Sequence, residues 1–155
     1  MKAVKRWRYY CDHCKKVSGL RSAMEKHEKG CTLNPARECG ICAFLNTGGA
    51  PLADLLALLP DATKFKRMES WDAGEEFGGS GEYEVVDDEG LREAVHAVLP
   101  KLRELTDNCP ACILAALRQK GIPVPIVTEF NFGEDMKEAH SAMQDHRAEQ
   151  DGRYY

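Results

Sequence analysis

The sequence predicts an α+β fold that is mostly helical, in a chain of 155 residues. Three observations lead to this prediction. Cysteines recur in closely spaced pairs, apolar residues recur at helical spacing in several segments, and the net charge changes sign near residue 37. The length suits one ordinary domain, or a small unit beside a modest hydrophobic core.

The seven cysteines form three Cys-x-x-Cys pairs and leave one cysteine, Cys31, outside them. An odd count argues against a disulfide framework, and the first residues lack the apolar run of a signal peptide. Four tetrahedral ligands from Cys and His are instead typical of structural zinc. Together with His27 the cysteines supply eight ligands, which predicts two zinc ions per chain.

The first predicted site has the spacing Cys11-x2-Cys14-x12-His27-x3-Cys31. The first two cysteines form a knuckle at a tight turn, and about twelve residues then bring the chain back into a helix. His27 and Cys31 are four residues apart on that helix, so they lie on one face and point at the same ion. Because so short a unit cannot fold on hydrophobic burial alone, we expect the metal to supply most of its stability.

Residues 9–31 resemble the C2HC variant of the ββα zinc-finger family. The resemblance covers only this part of the chain, and it implies an N-terminal ββα finger with zinc on the four ligands just named. Ser18 stands where that family usually has a phenylalanine. We expect the finger core to come from the apolar side chains of the segment, namely Tyr9 or Tyr10, Val17 or Leu20, and Met24.

The stretches RYYCDHCKK, HEKGC and NPARECGIC also resemble the opening of small uncharacterised phage or prophage zinc-finger proteins. This resemblance implies no activity. It adds one alternative function, that of a structural or host-interacting phage protein in the host cytoplasm, with zinc only for stability.

The second predicted site pairs Cys39-Gly-Ile-Cys42 with Cys109-Pro-Ala-Cys112. The 66 residues between the pairs exceed the roughly 15–20 residues of a compact zinc ribbon, so the prediction depends mainly on the count of eight ligands. Pro110 suits the first position of a helix that ends before a glycine, which puts Cys109 and Cys112 at a helix start. A zinc ion bound by these four cysteines would cross-link a small helical domain across a long loop.

Cys109 and Cys112 also allow a redox interpretation, because CPACILAALRQKGIPV resembles the active-site turn and first helix of glutaredoxins. That family places a β-strand immediately before the motif, whereas LPKLRELTDN is typical of a helix end. A thiol–disulfide redox protein that uses this pair therefore stays open as an alternative.

Apolar spacing predicts helices in much of the remaining chain. The leucines between Pro51 and Pro60 recur at helical spacing and are expected in the core. Residues 88–107 form an amphipathic pattern, with a kink or a division expected at Pro100. Residues 122–127 are expected to be extended, with an edge strand at most, because two prolines interrupt them.

Charge divides the chain into two bodies. Residues 1–37 carry ten Lys or Arg and three acids, whereas residues 38–155 carry eleven Lys or Arg and twenty-two acids. The net charge of −4 is therefore the sum of +7 in the first part and −11 in the second. We predict a basic arm and C2HC finger at 1–37, an acidic and mainly helical domain at 38–133, and a charged helical or frayed tail at 134–155. Residues 68–91 contain nine acids and no Lys or Arg, which predicts an exposed acidic loop or hairpin.

Residues 1–37, called the basic segment below, predict contact with nucleic acid or, equally, a solvated face on a protein-binding finger. Lys and Arg interleaved with aromatics suit phosphate contact and base stacking. The candidate residues are Arg6, Arg8, Lys15, Lys16, Arg21, Lys26 and Lys29. The helix positions that contact bases in such fingers hold Leu20, Ala23 and Lys26, and the first two offer no donors to base edges. We therefore expect no sequence-specific transcription factor.

The sequence shows none of the catalytic motifs that would predict an enzyme. Both predicted sites are closed by four ligands, and no His-Glu-x-x-His, phosphate loop or nucleophile elbow is present. No apolar stretch approaches the roughly 20 residues of a transmembrane helix. We predict a non-enzymatic, cytoplasmic zinc protein with no membrane or small-molecule partner. It would bind nucleic acid at the finger, and a protein at the acidic domain or tail.

Overall fold

A computed structural model describes residues 6–72 and 78–152 of the chain. Helix is the predominant element of these residues, with two small antiparallel sheets, so the prediction of a mixed helical and sheet fold is confirmed. The helices are α1 (Arg21–Gly30), α2 (Gly40–Leu45), α3 (Leu52–Leu58), α4 (Asp88–Thr106), α5 (Pro110–Gln119) and α6 (Phe132–Gln150). The strands pair as β1 (Tyr9–Tyr10) with β2 (Val17–Ser18) and β3 (Lys66–Asp72) with β4 (Ser80–Val86).

The N-terminal segment folds as a two-stranded hairpin followed by helix α1. Met24 points from the helix toward the hairpin and is only 3% exposed. Cys11 and Cys31 are also buried in this small cluster, and Tyr9 packs at its edge. So little apolar burial cannot hold a fold by itself, which agrees with a unit that a bound metal stabilises.

The expectation that Val17 or Leu20 would fill the place of the missing phenylalanine is wrong. Tyr10 pairs with Val17 across the hairpin, and both side chains are exposed. Because neighbouring residues of a strand point to opposite faces, this pair lies on the outer face and the Tyr9–Ser18 pair on the inner face. Leu20 precedes the first turn of α1 and is 67% exposed. Of the expected core side chains, Tyr9 and Met24 are the ones that pack inward.

Helix α5 lies at the centre of the main core. Cys109 precedes it and Pro110 occupies its first turn, while Gly121 follows it with a φ of +74°, a conformation that glycine adopts without strain. Buried residues run continuously from Ile113 to Leu117. The helix predicted between Cys109 and Gly121 is therefore present, and it is covered on nearly all sides by its neighbours.

Helices α3 and α4 pack against this central helix. Helix α4 buries one stripe that includes Leu91, Val95, Leu99 and Leu102, at the three- and four-residue steps of an amphipathic helix. It continues through Pro100 as a single helix, so the predicted division at the proline does not occur. The proline lies on the exposed side of α4, away from the core.

The segment 122–127 forms a short 3-10 turn at Val124–Ile126 instead of the predicted edge strand. The amide of Val127 donates to the carbonyl of Val124 at 3.0 Å. Pro123 and Pro125 have no N–H for a ladder, whereas both residues that flank the turn, Ile122 and Val127, are buried in the main core. Core anchoring at both ends therefore favours a compact turn.

The C-terminal segment forms one helix, α6, which begins at Phe132. The Asn131 side chain caps it by accepting hydrogen bonds from the amides of Gly133 and Glu134. The last three residues of the predicted tail lie outside the described residues. No helix in the described parts of the chain has both the length and the apolar composition needed to cross a membrane.

The acidic stretch contains the β3–β4 hairpin, in which Lys66 pairs with Val86 and Trp71 with Gly81. The prediction of an exposed acidic loop or hairpin is confirmed as a hairpin for the described residues. Met68, Trp71 and Tyr83 are exposed on it. Residues 73–77, which include two of the nine acids, lie outside the described residues.

Side chains at the end of α5 hold the chain that follows α1. Gln119 donates from Nε2 to the carbonyls of Thr32 at 2.9 Å and Asn34 at 3.0 Å. Arg118 donates from Nη1 to Oγ1 of Thr32 at 3.0 Å. The chain that follows α1 is therefore hydrogen-bonded to the C-terminal end of α5.

Candidate metal centres

The first candidate metal centre lies between the β1–β2 hairpin and α1. Cys11 and Cys14 occupy the turn after β1, His27 lies in α1, and Cys31 follows the end of that helix. Their four ligand atoms all lie within 4.8 Å of one another, and Cys14 Sγ is 3.2 Å from His27 Nε2. A tetrahedral ion at the usual bond lengths places its ligand atoms about 3.5–3.8 Å apart. The group could therefore hold one metal ion with little rearrangement.

Backbone amides of the hairpin turn support the sulfur atoms of this group. The amide of His13 donates to Cys11 Sγ at 3.4 Å, and the amide of Lys16 donates to Cys14 Sγ at 3.4 Å. The bond from the Lys16 amide lowers the pKa of Cys14. Amides directed at sulfur favour the thiolate, which is the form that binds a metal.

Burial shifts the pKa values of the other two residues of the first centre, His27 and Cys31. Burial lowers the pKa of His27, with a smaller contribution from the charge of Lys16, and so favours the neutral imidazole that coordinates metals. Burial also raises the pKa of Cys31. A metal ion must therefore displace the Cys31 proton as it binds.

The second candidate metal centre lies where the starts of α2 and α5 meet. Cys39 immediately precedes α2 and Cys42 lies in its first turn; Cys109 and Cys112 stand in the same relation to α5. The four sulfur atoms lie within 4.8 Å of one another, with Cys39 Sγ 3.5 Å from Cys109 Sγ and Cys42 Sγ 3.6 Å from Cys112 Sγ. The structure thus brings together two pairs that are far apart in the sequence.

These sulfur separations fit a shared ion and not a covalent bond. A disulfide has a sulfur–sulfur distance of about 2.05 Å, and all seven cysteines are free. Two sulfur ligands of one tetrahedral ion lie about 3.8 Å apart. The backbone amides of Cys42 and Cys112 each act to lower the pKa of the preceding cysteine of their pair, Cys39 and Cys109, and so favour negative charge there.

Mutual contacts and burial shift the pKa values of three thiols of the second centre in different directions. Hydrogen bonds with Cys109 and Cys112 hold the pKa of Cys39 far below its usual range. Contacts with Cys112 and Cys39, together with burial, raise the pKa of Cys109 far above it. For Cys112 the bond with Cys109 lowers the pKa, but Cys39 and burial outweigh it and raise the pKa to about 12. Binding of a cation would release the remaining protons.

Arg37, the last cation of the basic residues 1–37, lies against the second centre. Its Nη1 donates to Cys112 Sγ at 3.6 Å, and its Nε is buried with no hydrogen-bond partner in the described part of the chain. Four thiolates around a divalent ion carry net negative charge, which a guanidinium offsets. Its position two residues before Cys39 is the only signal that the sequence offers.

The seven cations predicted to contact nucleic acid are all exposed, and they lie on two surfaces. Arg6, Arg8, Lys15 and Lys16 surround the β1–β2 hairpin, whereas Arg21, Lys26 and Lys29 lie on α1. Arg21 pairs with Glu25 at 2.8 Å. The hairpin cations make no ion pair within residues 6–72 and 78–152.

No protein-family model, curated protein sequence or solved structure matches this chain. Function is therefore inferred from the residues of the two centres and from the surfaces beside them.

Proposed function

We propose that this chain is a zinc-binding interaction protein with two structural zinc ions. The observation that carries the proposal is that each group holds four complete donors, three sulfurs with one imidazole in the first and four sulfurs in the second. Tetrahedral sets of sulfur and imidazole nitrogen select zinc among the common divalent cations. A catalytic zinc keeps one position open for water or substrate, so four protein ligands favour a structural role.

The first centre supports the assignment of residues 9–31 as a C2HC finger. Its elements follow the order strand, strand, helix, and the hairpin turn and the helix each supply ligands. Sequence resemblance and geometry point the same way here, although the side chains that pack the hairpin differ from those of the family.

The second centre supports zinc over the thiol–disulfide alternative. Cys109 is buried, and both Cys109 and Cys112 face a second pair of thiols instead of standing alone at a surface. A catalytic redox pair needs one accessible, reactive thiolate and a partner free to form the disulfide. Within this four-sulfur group the low-pKa thiol is Cys39, which belongs to the other pair.

We further propose that the basic segment binds nucleic acid. Its exposed cations surround a finger-sized unit, while the body to which it is attached is acidic, so phosphate attraction is confined to one end of the sequence. The test is fluorescence anisotropy of the zinc-loaded chain with labelled DNA and RNA at low and raised salt. Binding should weaken as salt rises, because phosphate contacts release counterions.

Charge reversal in the segment identifies the binding surface. Lys15→Glu with Lys16→Glu should weaken binding, whereas the matched reversal of two exposed lysines of the body, Lys64→Glu with Lys137→Glu, should not. Absence of binding at low salt, or equal binding by both double variants and the unmodified chain, would remove the nucleic-acid function. The zinc-dependent structural role would then stand alone.

The β3–β4 hairpin favours a second function, contact with a protein. Met68 is 60% exposed, and Trp71 and Tyr83 are also exposed among acidic side chains. A basic, partly apolar protein surface would complement this hairpin. A photo-crosslinking side chain at position 71 should capture a partner that one at position 63 does not, and Tyr83→Ala, which removes a ring on the same face of the hairpin as position 71, should weaken the capture. Equal labelling from the two positions would exclude this surface.

A further inference from the structure

We propose that the nucleic-acid ligand is single-stranded and lies on the hairpin face of the N-terminal segment, not along helix α1. The hairpin face is defined by Arg6, Trp7, Arg8, Tyr10 and Val17. This inference rests on the nucleic-acid binding proposed above, and it names the form of the ligand and the surface that receives it.

An aromatic ring and a cation lie close together at the start of the hairpin. Tyr10 pairs with Val17 of β2, and Arg8, which immediately precedes β1, lines an open depression together with Tyr10. The opposite side of β1 carries Tyr9, which packs on the buried cluster around the metal ligands. Tyr10 is 64% exposed, so its ring is free for contact with a ligand and contributes little to the finger core.

Trp7 adds a second ring beside the strand. It is 83% exposed, the most exposed of the large apolar side chains in the described residues. Arg6, Trp7 and Arg8 line one side of an open depression of about 300 Å³, and Val17, Ser18 and Gly19 line the other. A planar group that enters this depression lies close to the Trp7 ring, to two arginines and to three small residues.

Unpaired bases are the planar groups that suit such a surface. In a duplex both faces of each base are covered by stacking, whereas a single strand can turn its bases onto protein rings. Stacking on Trp or Tyr tolerates any base, and Arg planes add cation–π contact. Between residues 6 and 19 the cations outnumber the acids, of which Asp12 is the only one, so phosphates can approach from the same side.

Helix α1 is a poorer surface for the same ligand. Glu25 already pairs with Arg21, and the Glu28 carboxylate accepts a hydrogen bond from the Asp12 amide. The carboxylates of Glu25 and Glu28 repel phosphates, and Glu25 also neutralises the charge of Arg21. The hairpin cations Lys15 and Lys16, in contrast, have no ion-pair partner within the described residues.

The experiment compares single and double strands on the zinc-loaded full chain. Labelled oligothymidylate, oligouridylate and a DNA duplex of equal length are titrated and followed by fluorescence anisotropy. Single strands should bind more tightly than the duplex, and the two single-stranded arms distinguish DNA from RNA. Trp7→Ala and Tyr10→Ala should each weaken single-strand binding by about fivefold to a hundredfold, with little effect on residual duplex binding.

Matched variants separate stacking from charge and from misfolding. Trp71→Ala and Tyr83→Ala remove equivalent rings from the acidic hairpin and should leave binding unchanged. Lys15→Ala with Lys16→Ala should weaken single-strand and duplex binding alike. Zinc content and circular dichroism show whether each variant is folded. Because Trp7 precedes β1, Trp7→Ala still tests the proposal if Tyr10→Ala loses its zinc. In a Trp71→Phe background, Trp7 is the remaining tryptophan, and its fluorescence should be quenched by single strands.

The possible results separate this inference from the proposal on which it rests. Tighter binding of the duplex, or single-strand binding that survives loss of both rings, overturns the hairpin-face inference and leaves nucleic-acid binding in place. Absence of binding to every oligonucleotide at low salt overturns both.

Discussion

Arg37 is the residue that joins the basic segment to the second metal centre. Its guanidinium reaches Cys112 from a position just before the first cysteine of the group. Groups that donate to metal-bound sulfur neutralise charge and fix ligand orientation, so they influence affinity without binding the ion. The local charge around the four cysteines therefore depends on Arg37, which belongs to the basic segment and not to the acidic part of the chain.

Arg37→Ala should lower the zinc affinity of the second centre by about tenfold to a hundredfold. The reason is that the negative charge of the four thiolates loses its nearest cation. Competition with a chromophoric chelator measures the two sites in one titration, and the first centre should be unaffected. Arg37→Lys should recover part of the loss, whereas Arg118→Ala, which removes a cation that bonds to Thr32, should change neither site. Equal affinity in Arg37→Ala and the unmodified chain would contradict this role.

Proton release should accompany zinc binding at the second centre. The pKa of Cys109 is raised and that of Cys112 is raised to about 12 in the metal-free group, so both thiols are protonated at neutral pH. Zinc must displace these protons, and its apparent affinity should therefore rise with pH and fall on acidification. Calorimetry in buffers of different ionisation enthalpy counts the protons. A heat of binding that is independent of the buffer would show that the thiols were already ionised.

At the scale of single residues, the two groups of four ligands and the burial of Met24 could be predicted, whereas the choice of Tyr9 over Tyr10 and the exposure of Val17 and Leu20 could not. Ligand pairs such as Cys11 and Cys14 are encoded by local spacing, and the count of four donors per ion then assigns the remaining ones. The burial of Tyr9 instead of Tyr10 depends on the strand register that pairs Tyr9 with Ser18. A shift of one residue exchanges the two faces of a strand, and no turn motif in the sequence specifies that register.

Two helix starts build the second centre, and this is the main contribution of the elements. Helices α2 and α5 each begin directly after a cysteine, so each helix start brings two sulfurs to one point. The start of α5 could be predicted from Pro110. Helix α2 could not be predicted, because a helix of six residues, Gly40–Leu45, is too short to show helical periodicity.

The 3-10 turn at Val124–Ile126 shows where sequence patterns fail at this scale. Prolines correctly argued against a central strand, but apolar residues on either side of them allow both an extended segment and a buried turn. Tertiary burial of Ile122 and Val127 decides between the two conformations. The absence of a break at Pro100 has a related cause, since the buried stripe of α4 holds the helix together on both sides of the proline.

Helix α5 should carry more of the stability of the body than any exposed element. Leu117 is fully buried at the centre of the core, and Leu117→Ala should lower the free energy of unfolding by about 2–5 kcal/mol. Leu20→Ala, at an exposed leucine of the same size, should change it by less than about 0.5 kcal/mol. Urea unfolding of the zinc-loaded proteins by circular dichroism measures both. Similar losses from the two variants would contradict the placement of the core.

In the whole molecule, the two candidate metal centres connect parts that differ in charge and in core. The first centre closes the small cluster around Met24, and the second ties the segment after it to α5. Hydrogen bonds from Gln119 to Thr32 and Asn34 add a direct contact between the two bodies. The net positive charge of residues 1–37 is thereby held beside a part of the chain with net negative charge.

Native mass spectrometry of the full chain tests the central claim, two zinc ions in two independent four-ligand centres, most directly. The purified protein should carry two zinc ions. Cys11→Ser with Cys31→Ser should leave one, as should Cys39→Ser with Cys109→Ser, and the combination of all four substitutions should leave none. A single zinc in the unmodified chain, or a second centre whose cysteines have lost the mass of two hydrogens per pair through disulfide formation, would contradict the account.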